Sequence, residues 1–361
     1  MNNQQIALEI FLAGIESVKP DKLINKSIAY SGKELVINNQ VFDLSTVHNI
    51  YVIGAGKASA LMAQALESVI GSAITGGHIV TKYGHSVPLK YIGVSEAGHP
   101  VPDENGLRAT EQIIEFAKKA DENDLVICLL SGGGSSLLTD VPENFTLADL
   151  ASLNDLLLKS GADIGEINCV RKHLSMIKGG QLAKIASPAI VISLILSDVI
   201  GDPLDVIASG PTAPDESTFA DAKAVLKRYN LYSKVAPSIL KIINDGIQSK
   251  RPETLKKNDQ TVNQTHNFII GNNMLALQSA KMKAENRNST GGATRRARNG
   301  SSWRRRRKRR NGPGWRIGCG ARRFEVDSSN SHAHTVVVHK TEERSVRELS
   351  VSPHETQNPV K

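Results

Sequence analysis

Apolar residues recur along this chain at two different spacings, and the change of spacing divides it. Over residues 4–18, Ile6, Ile10, Phe11, Leu12, Ile15 and Val18 return at three- to four-residue intervals, which predicts an amphipathic packing helix. Residues 27–44 carry short apolar stretches on either side of Ser31-Gly32-Lys33. That pattern predicts a hairpin with its turn at those three residues. A different unit then repeats: a short apolar run, a Gly- or Asn-rich turn, and a helical stretch. Ile50–Ile53 leads into Gly54-Ala55-Gly56-Lys57-Ala58-Ser59 and a helix over 60–70. Leu125–Leu130 leads into Ser131-Gly132-Gly133-Gly134-Ser135-Ser136, and Ile190–Leu196 into Ser197-Asp198. Phe268–Ile270 leads into Gly271-Asn272-Asn273 and a helix over 274–285. Strands alternating with helices imply βαβ units and a mostly parallel sheet flanked by helices. Such sheets bind ligands at the carboxyl ends of their strands, where all four turns would fall.

After Glu285 the pattern stops. Residues 286–323 are Arg, Gly, Asn and Ser rich, centred on Trp303 and the basic run from Arg304 to Arg310. Residues 324–361 are Ser, His, Thr and Glu rich. Such a segment cannot bury enough apolar surface to offset its ordering entropy. The expected organisation is an α/β domain over 1–285 and a disordered basic low-complexity tail over 286–361.

Charge sharpens that division. The formal net charge is +8, but residues 286–323 hold 14 Lys and Arg and no Asp or Glu. Without them 30 basic residues face 36 acidic ones, a net of −6. Any nucleic-acid contact is therefore expected through the tail alone, non-specific and steeply salt-dependent. Aromatics make up 4% of the chain, which argues against base stacking. Cys128, Cys169 and Cys319 form no CxxC pair, so neither a zinc cage nor a disulfide framework is suggested. The N-terminus lacks a basic n-region, and the longest apolar run, Ala189 to Leu196, is too short to span a bilayer. A cytoplasmic protein without membrane contact is expected.

The turns carry the candidate chemistry. In the first, Gly54 and Gly56 let the backbone approach an anion at a helix N-terminus, and Lys57 adds a full charge. The same residues would also make a tight structural turn. The spacing is not a complete dinucleotide fingerprint, since Ser59 stands where a third glycine belongs. Gly132, Gly133 and Gly134, flanked by Ser131 and Ser135, suit a nest of N–H groups around phosphate. A nucleophile elbow at Ser135 is the rival, but the glycine pattern differs from G-x-S-x-G. Asp198 could hold Mg²⁺, accept a hydroxyl proton or cap a helix. Asp202 beside Pro203 reads as a turn residue. Residues 167–178 read as one helix, stopped by Gly179-Gly180, with Arg171, Ser175 and Lys178 on one face. That face suits a phosphate or carboxylate, or is merely solvated. His173 reads as a packed or surface histidine. Glu96 to Asp103, stiffened by Pro100 and Pro102, either frames a site or turns a corner.

Taken in order, these strings resemble the glycerate 2-kinase family, whose members end in a small lobe called the MOFRL domain. The resemblance rests on IGAGKAS at 53–59, EAGHPVPD at 96–103, SGGGSSLL at 131–138, INCVRKHLSMIKGGQLA at 167–183, SDVIGDPLDVIASGPT at 197–212 and GNN at 271–273. It implies a Rossmann-like α/β domain and transfer of the ATP γ-phosphoryl to the 2-hydroxyl of D-glycerate, giving 2-phosphoglycerate, with Mg²⁺. It also implies that the family's functional lysine and aspartate fall on Lys57 and Asp198. Lys57, Asp198 and Arg171 are then the expected catalytic residues, with Asp198 also on the metal. Gly54, Gly56, Ser131, Gly132, Gly133, Gly134, Ser135, Asn272 and Lys178 are expected around the nucleotide. The resemblance stops near Glu285 and the second lobe is not recognisable; the tail reads like translation in a wrong frame. Weak or absent turnover is therefore expected of this chain. The rivals are an NAD(P)-dependent hydroxypyruvate reductase, a nucleic-acid binder using the basic tail, and a folded remnant without activity.

Overall fold

The structure, a computed structural model, describes residues 2–142 and 145–298. The chain opens with α1 (Asn3–Ser17) and α2 (Pro20–Ser27). A small antiparallel sheet follows: β1 (Ile28–Tyr30), β2 (Glu34–Ile37) and β3 (Gln40–Asp43). The expected hairpin is thus a three-stranded meander. Its second turn is Asn38-Asn39, both at positive φ (48° and 70°), a conformation asparagine tolerates in tight hairpins.

Six strands then build the main sheet. β4 (Asn49–Ala55), α3 (Ser59–Ile70), β5 (Gly76–Lys82), β6 (Gly93–Ala97) and α4 (Glu104–Lys119) form its first half. β7 (Asp124–Ser131), the single-turn α5 (Gly134–Leu137), α6 (Leu147–Lys159), α7 (Ile164–His173), α8 (Gln181–Ala186) and β8 (Ile190–Leu196) begin the second. α9 (Phe219–Arg228), α10 (Pro237–Ile247), β9 (Thr265–Gly271) and α11 (Asn273–Arg298) complete it. The order is β6-β5-β4-β7-β8-β9, with every pairing parallel. Counted by themselves, the parallel strands run 3-2-1-4-5-6, the Rossmann order. The expected fold class is observed.

Strand alternation explains the layering. Val52, Ile79, Leu125, Ile127, Leu129, Ile192 and Leu194 pack towards α2, α3 and the meander. Ile53, Val80, Val126, Cys128, Leu130, Val191 and Ile195 pack towards α4 and α8. Successive side chains face opposite ways, so both faces of the sheet are buried. A separate apolar cluster joins α6, α7, α9 and α10 through Leu153, Leu157, Val170, Leu226 and Ile243. This helical group stands over the carboxyl edge of β7 and β8 and supplies a wall of the cleft described below. Among the described residues, no helix is long and apolar enough to cross a membrane.

Three expectations meet a different structure. α1 is a helix, but Phe11, Leu12 and Ile15 are exposed and Gly14 is its one buried residue. Contact with α11 runs through Gly14, where a Cβ would stand 2.9 Å from the Ala276 carbonyl oxygen. The helix expected at 274–285 continues to Arg298, so no helix end marks residue 285. Residues 299–361 of the expected tail lie outside the described residues. Finally, residues 167–178 are not one helix, because α7 ends at His173. Ser175 Oγ receives the amides of Ile177 and Lys178, while Asp140 takes the Ser175 hydroxyl at 2.6 Å and the Met176 amide. These side-chain bonds compete with the helical ladder and end it.

Candidate functional site

In a doubly wound sheet the loops diverge where the strand order reverses, and ligands bind in the crevice they leave. Here that point lies between β4 and β7. The turn after β4 carries Lys57, and the turn after β7 carries Gly132 and Gly133. A Cβ on Gly132 would stand 2.2 Å from Asp198 Oδ2. One on Gly133, at φ 85°, would stand 2.9 Å from the His99 ring and 3.0 Å from Lys57 Cε. The missing side chains are therefore a geometric requirement. They let Lys57, His99 and Asp198, from the loops after β4, β6 and β8, close on one stretch of backbone.

The two glycine turns differ in what they offer. The amides of the first are consumed inside the fold. Gly56 N–H goes to the Val80 carbonyl (3.2 Å), Lys57 N–H to the Gly132 carbonyl (2.9 Å) and Ala58 N–H to Ser131 Oγ (3.0 Å). What projects from this turn is the exposed Lys57 side chain, which has no hydrogen bond or ion pair among the described residues. Ser131 ties the two turns together. In the second turn no backbone carbonyl among the described residues takes the amides of Gly132, Gly133, Gly134 or Ser135.

Beyond these turns opens a cavity of about 590 Å³, bounded by Gly132, Gly133, Asp198, Arg171 and the α6–α7 helices. Its size is that of a small-molecule site. Arg171 reaches it half-buried, its Nη2 3.5 Å from the Ser135 carbonyl oxygen. Burial pulls the guanidinium below its ordinary pKa. No carboxylate among the described residues pairs with it, which leaves a cation facing the cavity. Behind it Ser135 Oγ meets Ser209 Oγ at 2.7 Å, and Ser209 donates to Asn168 Oδ1 at 3.2 Å. Ala208 and Ser209 sit at φ 52° and 61°. Left-handed backbone at non-glycine residues costs roughly 1–2 kcal/mol each. Such strain gathers at functional sites.

His99 is held below the usual imidazole range, first by burial and then by the charges of Lys57 and Lys82. Both effects favour its neutral form. Removing the Lys57 charge should let its pKa rise. In Lys57→Ala, a titration of the His99 ring protons by NMR is expected to move upward in pH; an unchanged midpoint would mean that the two side chains are not neighbours.

Lys178 and Asn272 are placed elsewhere. Lys178 is buried behind the cavity, where its Nζ donates to the Leu138 carbonyl (2.5 Å) and lies 3.5 Å from Asp140. It shares with Arg171, Ser175 and Ser135 a small void of about 20 Å³. The three residues expected on one helix face therefore do meet, but through the turn after α7. Asn272 donates to Asp202 (2.5 Å) and accepts from the Leu275 amide, and it lines a separate groove beside β1 and α11. Among the cleft residues not singled out from the sequence are His99, Ser209 and Asn168. Their signal was faint, a histidine within a proline-stiffened loop and small polar residues within two longer strings.

For Mg²⁺ the fit is partial. Among the described residues no group of three His, Cys, Asp or Glu gathers to cage a metal. Asp198, however, presents a carboxylate that no hydrogen bond or ion pair engages, directly against Gly132. One carboxylate suits an ion that keeps its waters and takes its other ligands from phosphate.

Fold and cleft together define the class: a doubly wound α/β protein whose switch-point cleft sets Arg171, Asp198 and a glycine turn within a largely apolar lining. A family model described as a domain of unknown function (DUF4147) matches residues 6–244. A glycerate 2-kinase of Pyrococcus horikoshii is 39% identical over 285 residues, covering 79% of this chain and 63% of that protein. A D-glycerate 2-kinase of Thermotoga maritima is 45% identical over 229 residues, covering 63% and 52%. The crystal structure of the PH0495 protein of P. horikoshii matches with a TM-score of 0.72 at 39% identity, over 79% of this chain and 64% of that one. The chain belongs to the DUF4147 family, and its relatives include glycerate 2-kinases and a putative hydroxypyruvate reductase of Agrobacterium vitis, 51% identical over 50% of this chain and 41% of that one. The chain spans between half and two thirds of the length of the two kinases.

Proposed function

We propose that this chain carries the phosphate-facing part of an ATP-dependent glycerate 2-kinase, acting on the 2-hydroxyl of D-glycerate. The observation that carries the reading is the approach of unpaired Lys57 and free Asp198 to the Gly132-Gly133 backbone, with half-buried Arg171 beside Ser135 on the adjoining cavity. Phosphoryl transfer asks a protein mainly for positioning and charge neutralisation. Lys57 would neutralise the transferring phosphate from the β4 side. The amides of Gly132 to Ser135 would bind its oxygens, and Arg171 would hold a second anionic group, a phosphate or the glycerate carboxylate. Asp198 would receive the hydroxyl proton or hold Mg²⁺, whose part is to offset charge between phosphates. His99, whose neutral form is favoured by burial and by the nearby lysines, would hydrogen-bond a phosphate or hydroxyl. Gly54, Gly56 and Ser131 serve this arrangement by letting the two turns approach. Lys178 acts from behind Arg171, and Asn272 fixes the loop that carries Asp202.

The test is phosphorus NMR of ATP, Mg²⁺ and D-glycerate with this chain, beside Lys57→Ala and the longer T. maritima relative. A 2-phosphoglycerate resonance is expected with this chain and with the relative, and its loss in the variant. Equal product from chain and variant would remove Lys57 from the chemistry. No product at all would deny phosphotransfer to this chain.

A further inference from the structure

Two helix faces give the cleft a graded lining. On α7, Ile164, Ile167, Asn168 and Arg171 stand at i, i+3, i+4 and i+7, and all four line the 590 Å³ cavity. Ala151, Asn154, Asp155 and Leu158 do the same on α6. Residues so spaced share one helix face. Along α7 the face passes from apolar to amide to cationic over about 10 Å, at ~1.5 Å per residue. Leu158 ends one face and Ile164 begins the other, so both apolar ends meet at the α6–α7 turn.

That apolar end is unusually bare. Leu158 is 72% exposed, Ile164 59% and Val101, which lines the same cavity, 68%. Exposed apolar side chains gathered on one rim mark a binding surface. The middle of the cleft is polar. Asn168 is 3% exposed and accepts from Ser209 through Oδ1, while nothing among the described residues takes its Nδ2. Asn154 lines the same cavity, and Asp155 is shared with Lys159 at 2.8 Å. The far end holds Arg171 and the glycine amides.

We infer that the α6–α7 face is the nucleoside subsite of the cleft, with a flat heterocyclic base against Val101, Leu158 and Ile164, its sugar hydroxyls on Asn154 and Asn168, and its phosphates running to Arg171 and Gly132-Gly133. An apolar ring, a hydroxylated middle and an anionic end match the lining in order. The inference rests on the phosphate-site reading above and adds where the base lies.

The experiment is calorimetric titration of the full chain with Mg²⁺–ATP and, separately, Mg²⁺–tripolyphosphate, using wild type, Leu158→Asp and Ile164→Asp. Both positions are exposed, so the variants keep the packed core; circular dichroism checks that they fold. ATP affinity is expected to fall about tenfold or more in each, the scale of losing apolar contact in a pocket, with tripolyphosphate affinity unchanged. ATP affinity unchanged in both variants would overturn the nucleoside subsite while leaving the phosphate site standing. Equal loss for both ligands would also overturn it, because the rim would then act on phosphate or on the closure of the cleft. Failure of wild type to bind either ligand would sink the phosphate-site reading and this inference together.

Discussion

Asp140→Ala should unfold this protein's α/β domain about 3–5 kcal/mol more easily, the usual result of leaving a buried charge without its partner. Asp140 and Lys178 are both almost wholly buried, 3.5 Å apart. Asp140 also takes the Ser175 hydroxyl and the Met176 amide. Its removal leaves the Ser175 hydroxyl and the Met176 amide without their acceptor, and the buried Lys178 charge with the Leu138 carbonyl but no carboxylate. Urea denaturation measures the loss. The double variant Asp140→Ala/Lys178→Met should recover part of it, because the stranded cation goes too. A loss below 1 kcal/mol would mean that the turn holds without this carboxylate.

The same lysine makes stability depend on pH. Burial, opposed by Asp140, brings Lys178 to about 8 from its ordinary 10.5. Between those values the unfolded chain binds more protons than the folded one, so this group's contribution favours the fold increasingly as pH rises through the window. Below pH 8 the cost of burying its charge is constant.

The second large effect is on ligand binding. Lys57→Ala should weaken Mg²⁺–ATP about 10- to 100-fold, the range of one charge-assisted hydrogen bond. The fold should hardly change, because Lys57 is exposed and its amide, not its side chain, makes the bond to Gly132. Binding and stability thus separate at this residue, whereas Asp140 moves stability first.

How much of this was legible depends on the physical signal. The main sheet was readable because its strands are apolar runs closed by glycine or Asp/Asn turns, and a parallel sheet puts those turns on one edge. Lys57, Asp198 and the glycines of both turns could be found for that reason. What each turn does was not legible. Whether the amides at 56–58 are free depends on Val80, Gly132 and Ser131, residues far away in sequence. The end of α7 was missed because a carboxylate from another loop, Asp140, captures the Ser175 hydroxyl and the Met176 amide; helical spacing alone cannot register that. Ser31-Gly32-Lys33 is the first turn of the meander, as its spacing predicts, and Asn38-Asn39 is a second that adds a third strand. The bare apolar stripe of α1 reads as a packing face, and spacing says nothing about whether a partner covers it. His99, Ser209 and Asn168 became site residues through the fold, by way of close approaches that glycine permits.

The most direct test is calorimetric titration of Mg²⁺–ATP into the wild-type chain and into Lys57→Ala at one salt concentration. The account predicts measurable binding by the wild type and a loss of about tenfold or more in the variant. Equal affinity in the two, or no binding by the folded wild-type chain, would contradict it.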